Sequence, residues 1–144
     1  MGEREAEASW IKEKVEGWAD SVRTLAGVAR KHLQSAYAGL HKSLQQKWAF
    51  VQRVTPVIDD VFGLVEEEIK MAFIPELFHG AGDIAPGRAI TRLPVNQAGL
   101  ALPDPTRTAP DNWKASCVIT GHLLSALRGQ VKFRTADHAT CLQD

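Results

Sequence analysis

Apolar residues near the start of the chain recur with a helical beat. Ile11, Val15, Trp18, Val22, Leu25 and Ala29 follow one another at steps of 4, 3, 4, 3 and 4. At about 100° per residue, that spacing gathers them on one narrow stripe of an α-helix. Ser9 suits the N-cap and Lys31 with His32 suits a C-terminus, so the pattern predicts a helix over Ser9–His32. A second stripe, Tyr37, Leu40, Leu44, Trp48 and Val51, predicts a helix over Ser35–Arg53 with Lys42, Gln46 and Arg53 on its opposite face. Thr55-Pro56 breaks it, because proline lacks the N–H and disfavours helix at the residue before it. Ile58, Phe62, Val65, Ile69 and Phe73 predict a third helix over Val57–Phe73, which Pro75 ends or kinks.

The pattern then dissolves. Six of the seven prolines lie between Pro75 and Pro110, with Gly80, Gly82, Gly87 and Gly99 among them. No regular element longer than about six residues is expected in such a stretch. Ala98-Gly99-Leu100-Ala101-Leu102 reads as a short strand or extended arm whose small residues allow close backbone approach. A fourth long helix, Pro110–Arg128, carries Trp113, Cys117, Thr120, Leu124 and Leu127 on one stripe and ends at Gly129. A short last helix is expected from about Thr135. The predicted fold class is therefore mainly α: a bundle of about four long helices with a Pro/Gly-rich irregular middle segment. It divides into a three-helix part at 1–78, a connector at 79–109 and a helical part at 110–144.

At 144 residues, 44% hydrophobic and 24% charged, the chain has the balance of an ordinary globular domain. No apolar run approaches the roughly 18–20 residues that span a bilayer, and Met1 to Ala6 has no apolar core of a secretory signal. Two cysteines make no disulfide framework, which favours reduced thiols and an intracellular location, nucleus and cytoplasm both open. Net charge is zero, yet the charges are segregated. Between Asp20 and Asp59 there is no acidic residue, while Arg23, Arg30, Lys31, Lys42, Lys47 and Arg53 all fall inside that window. From Asp59 to Asp83 the sign reverses, with seven carboxylates against Lys70 alone. Either the basic block meets a polyanion, or two oppositely charged helices lie side by side.

Several short blocks, taken in order, carry a resemblance. They are Trp18 with Leu25-Ala26-Gly27-Val28-Ala29; Leu33-Gln34-Ser35-Ala36-Tyr37; and Trp48 followed by Arg53-Val54-Thr55-Pro56. Then come Leu64-Val65-Glu66 with Phe73-Ile74-Pro75-Glu76-Leu77, and Leu93-Pro94-Val95-Asn96-Gln97-Ala98-Gly99-Leu100-Ala101-Leu102-Pro103. Together, from about Trp10 to Leu127, they resemble the region just after the polymerase palm in a group of eukaryotic retrotransposon reverse transcriptases. The departures are Leu33 and Leu64 at proline-like positions, Asn96 where a basic residue is common, and Ala98 and Ala101 in place of glycines. The resemblance implies a helical thumb or connection region that grips the template–primer duplex behind an active site. It implies two partners, that nucleic-acid duplex and the palm, which this chain does not contain. The palm strands that hold two metal ions around a primer terminus have no counterpart before Trp10, so no catalysis is expected from the chain alone. A free-standing helical adaptor that binds a protein through its apolar stripes is the alternative reading.

Candidate chemistry elsewhere is thin. Val57-Ile58-Asp59-Asp60-Val61 imitates a polymerase metal motif, but it lacks the aromatic residue and lies in a helical period. An acidic first turn explains it better. Cys117, His122, His138 and Cys141 fit no common zinc spacing, and Cys117 and His122 would point about 140° apart on one helix. Cys117 is expected as a buried thiol on its stripe. Trp18, Trp48 and Trp113 are expected in the core, with Trp10 exposed near the end. No catalytic, metal or cofactor site is expected. The candidate nucleic-acid-binding set is Arg23, Arg30, Lys31, Lys42, Lys47 and Arg53, with Lys12, Arg23 and Arg30 forming a row on the first helix.

Overall fold

A computed structural model describes residues 2–56, 60–79 and 87–130. Among the described residues there is no β-strand. Helix α1 spans Gly2–Ala29. A second rod runs through α2 (Leu33–Ala38), a π turn (Gly39–Leu44) and α3 (Gln45–Val54). A third runs through α4 (Gly63–Glu68), a π turn (Ile69–Phe73) and α5 (Ile74–Leu77). A short α6 (Arg88–Arg92) and a 3-10 turn (Val95–Gln97) precede α7 (Pro105–Leu127). The mainly α class, with four long helices and an irregular stretch between the third and fourth, is as the sequence pattern predicts.

Helix α1 is longer than its stripe. It begins seven residues before Ser9, in a segment exposed on every side, so no buried residue marks it. Local chemistry holds it instead: Glu3 and Glu5 sit in the first turn, where a negative charge favours the helix dipole, and Ala6 and Ala8 are strong helix formers. The stripe itself is buried, with Ile11, Val15, Trp18, Val22, Ala26 and Ala29 facing the core.

The second and third rods share a device. Their buried residues recur at four-residue steps: Ala36, Leu40, Leu44 and Trp48 in one, and Val65, Ile69, Phe73 and Leu77 in the other. In an unbroken α-helix, twelve residues at 100° each drift about 120° around the axis. One extra residue taken up in a wide turn cuts that drift to about 20°. Each rod places its π turn within this run, and both π turns pack against α1. The second also accommodates Pro75, which does not end the third rod. It lies at the start of α5, directly behind the wide turn, and the helix continues to Leu77. At its other end the third rod starts later than Val57. Asp60 to Phe62 form a turn closed by the Gly63 amide donating to the Asp60 carbonyl, and residues 57–59 lie outside the described residues.

Trp18 is the hub of the core. It meets Trp48 edge-on and stacks on Phe62, each with ring centroids 6.3 Å apart. Leu102 from the irregular stretch and Ala109 from α7 join the same apolar cluster, so the connector and the last helix are packed onto the first three helices.

The segment 98–102 is an arm, not a strand. Ala98 and Ala101 have φ of 62° and 51°, in the left-handed region. Gly99 lies so close to the preceding turn that a Cβ there would sit 1.9 Å from the Leu93 carbonyl oxygen. The arm is pinned by Ala101 N–H to the Leu93 carbonyl (2.9 Å), Leu102 N–H to the Thr91 carbonyl (3.1 Å) and the Tyr37 hydroxyl to the Leu100 carbonyl (2.6 Å).

Helix α7 departs from expectation twice. It starts at Pro105, five residues before Pro110, because Asp104 caps it by accepting from the Thr106 amide at 3.0 Å and proline fits the first turn without a donor. Pro110 then falls inside the helix. The stripe is also not core. Only Pro105 and Ala109 are buried; Trp113 is half-buried, Cys117 and Thr120 are exposed, and Leu127 is 83% exposed. The segment is helical as its period predicts, but periodicity does not reveal how far a packing partner extends. Helix α7 packs chiefly on α3, which is less than half its length. The helix expected from Thr135 lies outside the described residues.

Candidate nucleic-acid interface

The six basic candidates divide into two groups. Arg23 is held by Glu68 (Nη2 to Oε1, 2.6 Å) and by Asp20 one turn back (Nη1 to Oδ1, 3.0 Å). Arg30 is clamped by Glu76 through Nε at 2.5 Å and Nη2 at 3.1 Å. The hydrogen bond to Glu68 is the main cause that raises the Arg23 pKa above its ordinary value. The Arg30 hydrogen bond does the same for Arg30 and lowers the Glu76 carboxyl below the usual carboxylate range. For these two arginines, the charge split is an apposition of oppositely charged helices, α1 against the third rod.

Lys31, Lys42, Lys47 and Arg53 are different. All four are exposed. Among the described residues, none of them has a carboxylate within ion-pair distance. Lys31 lies in the turn after α1, Lys42 in the π turn, Lys47 on the exposed side of α3, and Arg53 near its end, at the rim of a groove shared with Asn112, Ser116 and Thr120 of α7. On the third rod Glu66 pairs with Arg88 and Arg92, and Glu68 with Arg23, while Glu67 between them is exposed with no ion pair among the described residues.

Two polar clusters escape a reading of the sequence alone. Arg88, its side chain only 8% exposed, forms a fork with Glu66 at 2.8 and 2.7 Å and also donates to Thr91 Oγ1 and the Leu102 and Pro103 carbonyls. Arg92 joins Glu66 at 3.3 Å and Asp104 at 3.2 Å, so one ionic cluster fastens α6 to α4 and to the cap of α7. In the second cluster, fully buried Gln52 donates to the Pro105 carbonyl at 2.9 Å. Its Oε1 accepts from Thr108 Oγ1 (3.0 Å) and Asn112 Nδ2 (2.9 Å). Both clusters join segments more than twenty residues apart and fasten them; in the first, Arg92 Nε is buried without a hydrogen-bond partner among the described residues, while the buried amide of Gln52 is bonded at both its oxygen and its nitrogen.

Asp60 is exposed at the turn before α4, and Asp59 lies outside the described residues. Among the described residues, no three His, Cys, Asp or Glu side chains cluster as metal ligands would. Cys117 is exposed, against the expectation of a buried thiol, and His122 is half-buried; His138 and Cys141 lie outside the described residues. Trp10 is 45% exposed with the Lys14 ammonium 5.8 Å from its ring. No helix among the described residues is long and apolar enough to cross a membrane. No protein-family model, no curated protein and no solved structure matches the chain.

Proposed function

We propose that the chain is a non-catalytic helical region of a retrotransposon reverse transcriptase that tracks the phosphate backbone of a template–primer duplex. The carrying observation is the acid-free second rod, with Lys42, Lys47 and Arg53 exposed and without carboxylate partners among the described residues. Cations so arranged interact with phosphates without reading bases. The arm supports the family part of the reading. The resemblance has glycines where this chain has Ala98 and Ala101, and those two alanines have the positive φ that glycine adopts at least cost. Blocks distant in sequence also meet: Tyr37 bonds to Leu100, and Trp18 packs on Trp48.

The test is duplex affinity against salt, with thermal stability measured on the same proteins. Wild type binds duplex with little sequence preference, and each neutralised phosphate adds about 0.9 to the log–log salt slope. Lys42→Glu, Lys47→Glu and Arg53→Glu together abolish binding and leave helicity intact. Unfolding of the triple variant, or no wild-type binding at low salt, refutes the proposal for this chain. The adaptor reading is favoured by a separate observation, the exposed Val118, Leu124 and Leu127 on the distal half of α7. Under that reading, polar substitution of these three abolishes capture of a protein partner and leaves duplex affinity unchanged.

A further inference from the structure

The outer face of α3 carries more than charge. Phe50 is 64% exposed, on a side of the helix where a solvated residue would ordinarily be polar. On an α-helix, residues three and four apart are neighbours. Phe50 therefore has Lys47 one turn before it, Arg53 one turn after it, and Gln46 and Val54 on its flanks, all of them exposed. The two cations are about 9 Å apart along the axis, at 1.5 Å per residue. They lie about 60° to either side of Phe50, so the two charges flank the ring.

We infer that this face binds an unpaired stretch of nucleic acid, with one base stacked on Phe50 and the flanking phosphates held by Lys47 and Arg53. Charge complementarity selects the occupant: the 38 positions between Asp20 and Asp59 contain no carboxylate, and on the third rod Glu66, Glu68 and Glu76 are each paired with arginine. A closed duplex offers phosphates but keeps its base faces stacked inside. An aromatic ring amid cations is the arrangement that accepts a splayed base, and stacking on it is tolerant of sequence. The inference rests on the phosphate-tracking reading and adds a ligand class to it: a single strand, or the unpaired tail of a duplex.

The probes are labelled oligonucleotides titrated by fluorescence anisotropy: a dT 12-mer and a 12-unit abasic strand of equal length and charge, and a blunt 12-base-pair duplex, which carries about twice that charge. Wild type should bind the dT 12-mer about 5- to 160-fold tighter than the abasic strand, the range one stacked base supplies. Phe50→Ala should erase that ratio while leaving abasic affinity and salt slope unchanged, and Phe50→Trp should restore it. Lys47→Glu with Arg53→Glu should weaken all three probes and flatten the salt slope. A ratio near one in wild type, or one that survives Phe50→Ala, overturns the stacking inference while the phosphate reading stands. Abasic affinity insensitive to the charge reversal removes both. A ratio near one together with self-association that Phe50→Ala abolishes assigns the face to a protein contact instead.

Discussion

Replacing Ala98 and Ala101 with glycine should stabilise the protein. The perturbation removes one methyl at each site. In most settings glycine destabilises, because it frees the unfolded chain by about 0.4–1 kcal/mol of entropy per site. Here the folded state gains more. Ala98 (φ 62°, ψ 23°) closes the 3-10 turn, and Ala101 (φ 51°) is fixed by the hydrogen bond its N–H donates to the Leu93 carbonyl. An L-residue in that region carries a steric cost of about 1–2 kcal/mol from its Cβ. The difference is a gain of roughly 0.5–1 kcal/mol per site, larger at exposed Ala98 than at half-buried Ala101, whose methyl contributes some packing. The double variant should gain about 1–2 kcal/mol, an upward Tm shift of several degrees for a chain of this size. Ala115→Gly, at an exposed helical position of α7, is the matched control and should lose about 0.8–1 kcal/mol. Urea unfolding followed by circular dichroism measures all three. If Ala98→Gly destabilises as Ala115→Gly does, the conformational argument is wrong, and with it the link between these alanines and the glycines of the resemblance.

Gln52→Leu should cost about 2–4 kcal/mol in urea unfolding, because it strips partners from the Pro105 carbonyl, Thr108 and Asn112 in one step; a loss below 1 kcal/mol would refute the fastening role. Arg88→Met should cost about 3–5 kcal/mol by leaving Glu66 half-paired and two carbonyls without a donor. Adding Glu66→Leu should recover part of that loss, and a purely additive double variant would show that the two side chains are not coupled. The Glu76 carboxyl is depressed in the folded state, chiefly by its bond to Arg30, so it binds its proton less readily folded than unfolded. Its contribution is present above the unfolded pKa and lost as pH falls through the folded one. Melting temperature should therefore drop on acidification below about pH 4.5, and drop less in Glu76→Gln.

Helix existence was legible wherever a stripe is buried by a neighbour, as in Ile11 to Ala29 around Trp18. Boundaries were illegible where other forces set them. Residues 2–8 of α1 are exposed on every side, so first-turn charge and propensity extend that helix. Pro105 starts α7 because of a cap at Asp104, a local hydrogen bond that competes with the more conspicuous Pro110. The π turns were present in the sequence as repeated four-residue steps, a spacing that an ordinary helix does not keep on one face. In the candidate site, residue type singled out the cations but not their partners. The pairing of Arg23 with Glu68, 45 positions away, is a fact of tertiary geometry, as is the convergence of Arg88, Arg92, Glu66 and Asp104. Phe50 breaks the stripe, and that is the sequence signal that marks it: a large aromatic out of phase with the core.

The division of the basic window also bears on why charge reversal is an informative test here. Arg23 and Arg30 are bound to the third rod, so changing them perturbs packing and any binding together. Lys42, Lys47 and Arg53 contribute no ion pair among the described residues, and exposed substitutions of that kind alter stability by only about ±0.5 kcal/mol. Reversing the second group therefore isolates the long-range field of the rod from the contacts that hold it. Reversing the first group does the opposite. Arg23→Glu would set a third carboxylate beside Asp20 and Glu68, and should lower the melting temperature at low salt. Added salt should recover part of that loss, because repulsion between exposed charges is screened within about 10 Å at 0.1 M. A variant of either group that changed binding and stability in proportion would show that the rod's charge and its packing are a single property, and no division into fasteners and contacts would then hold.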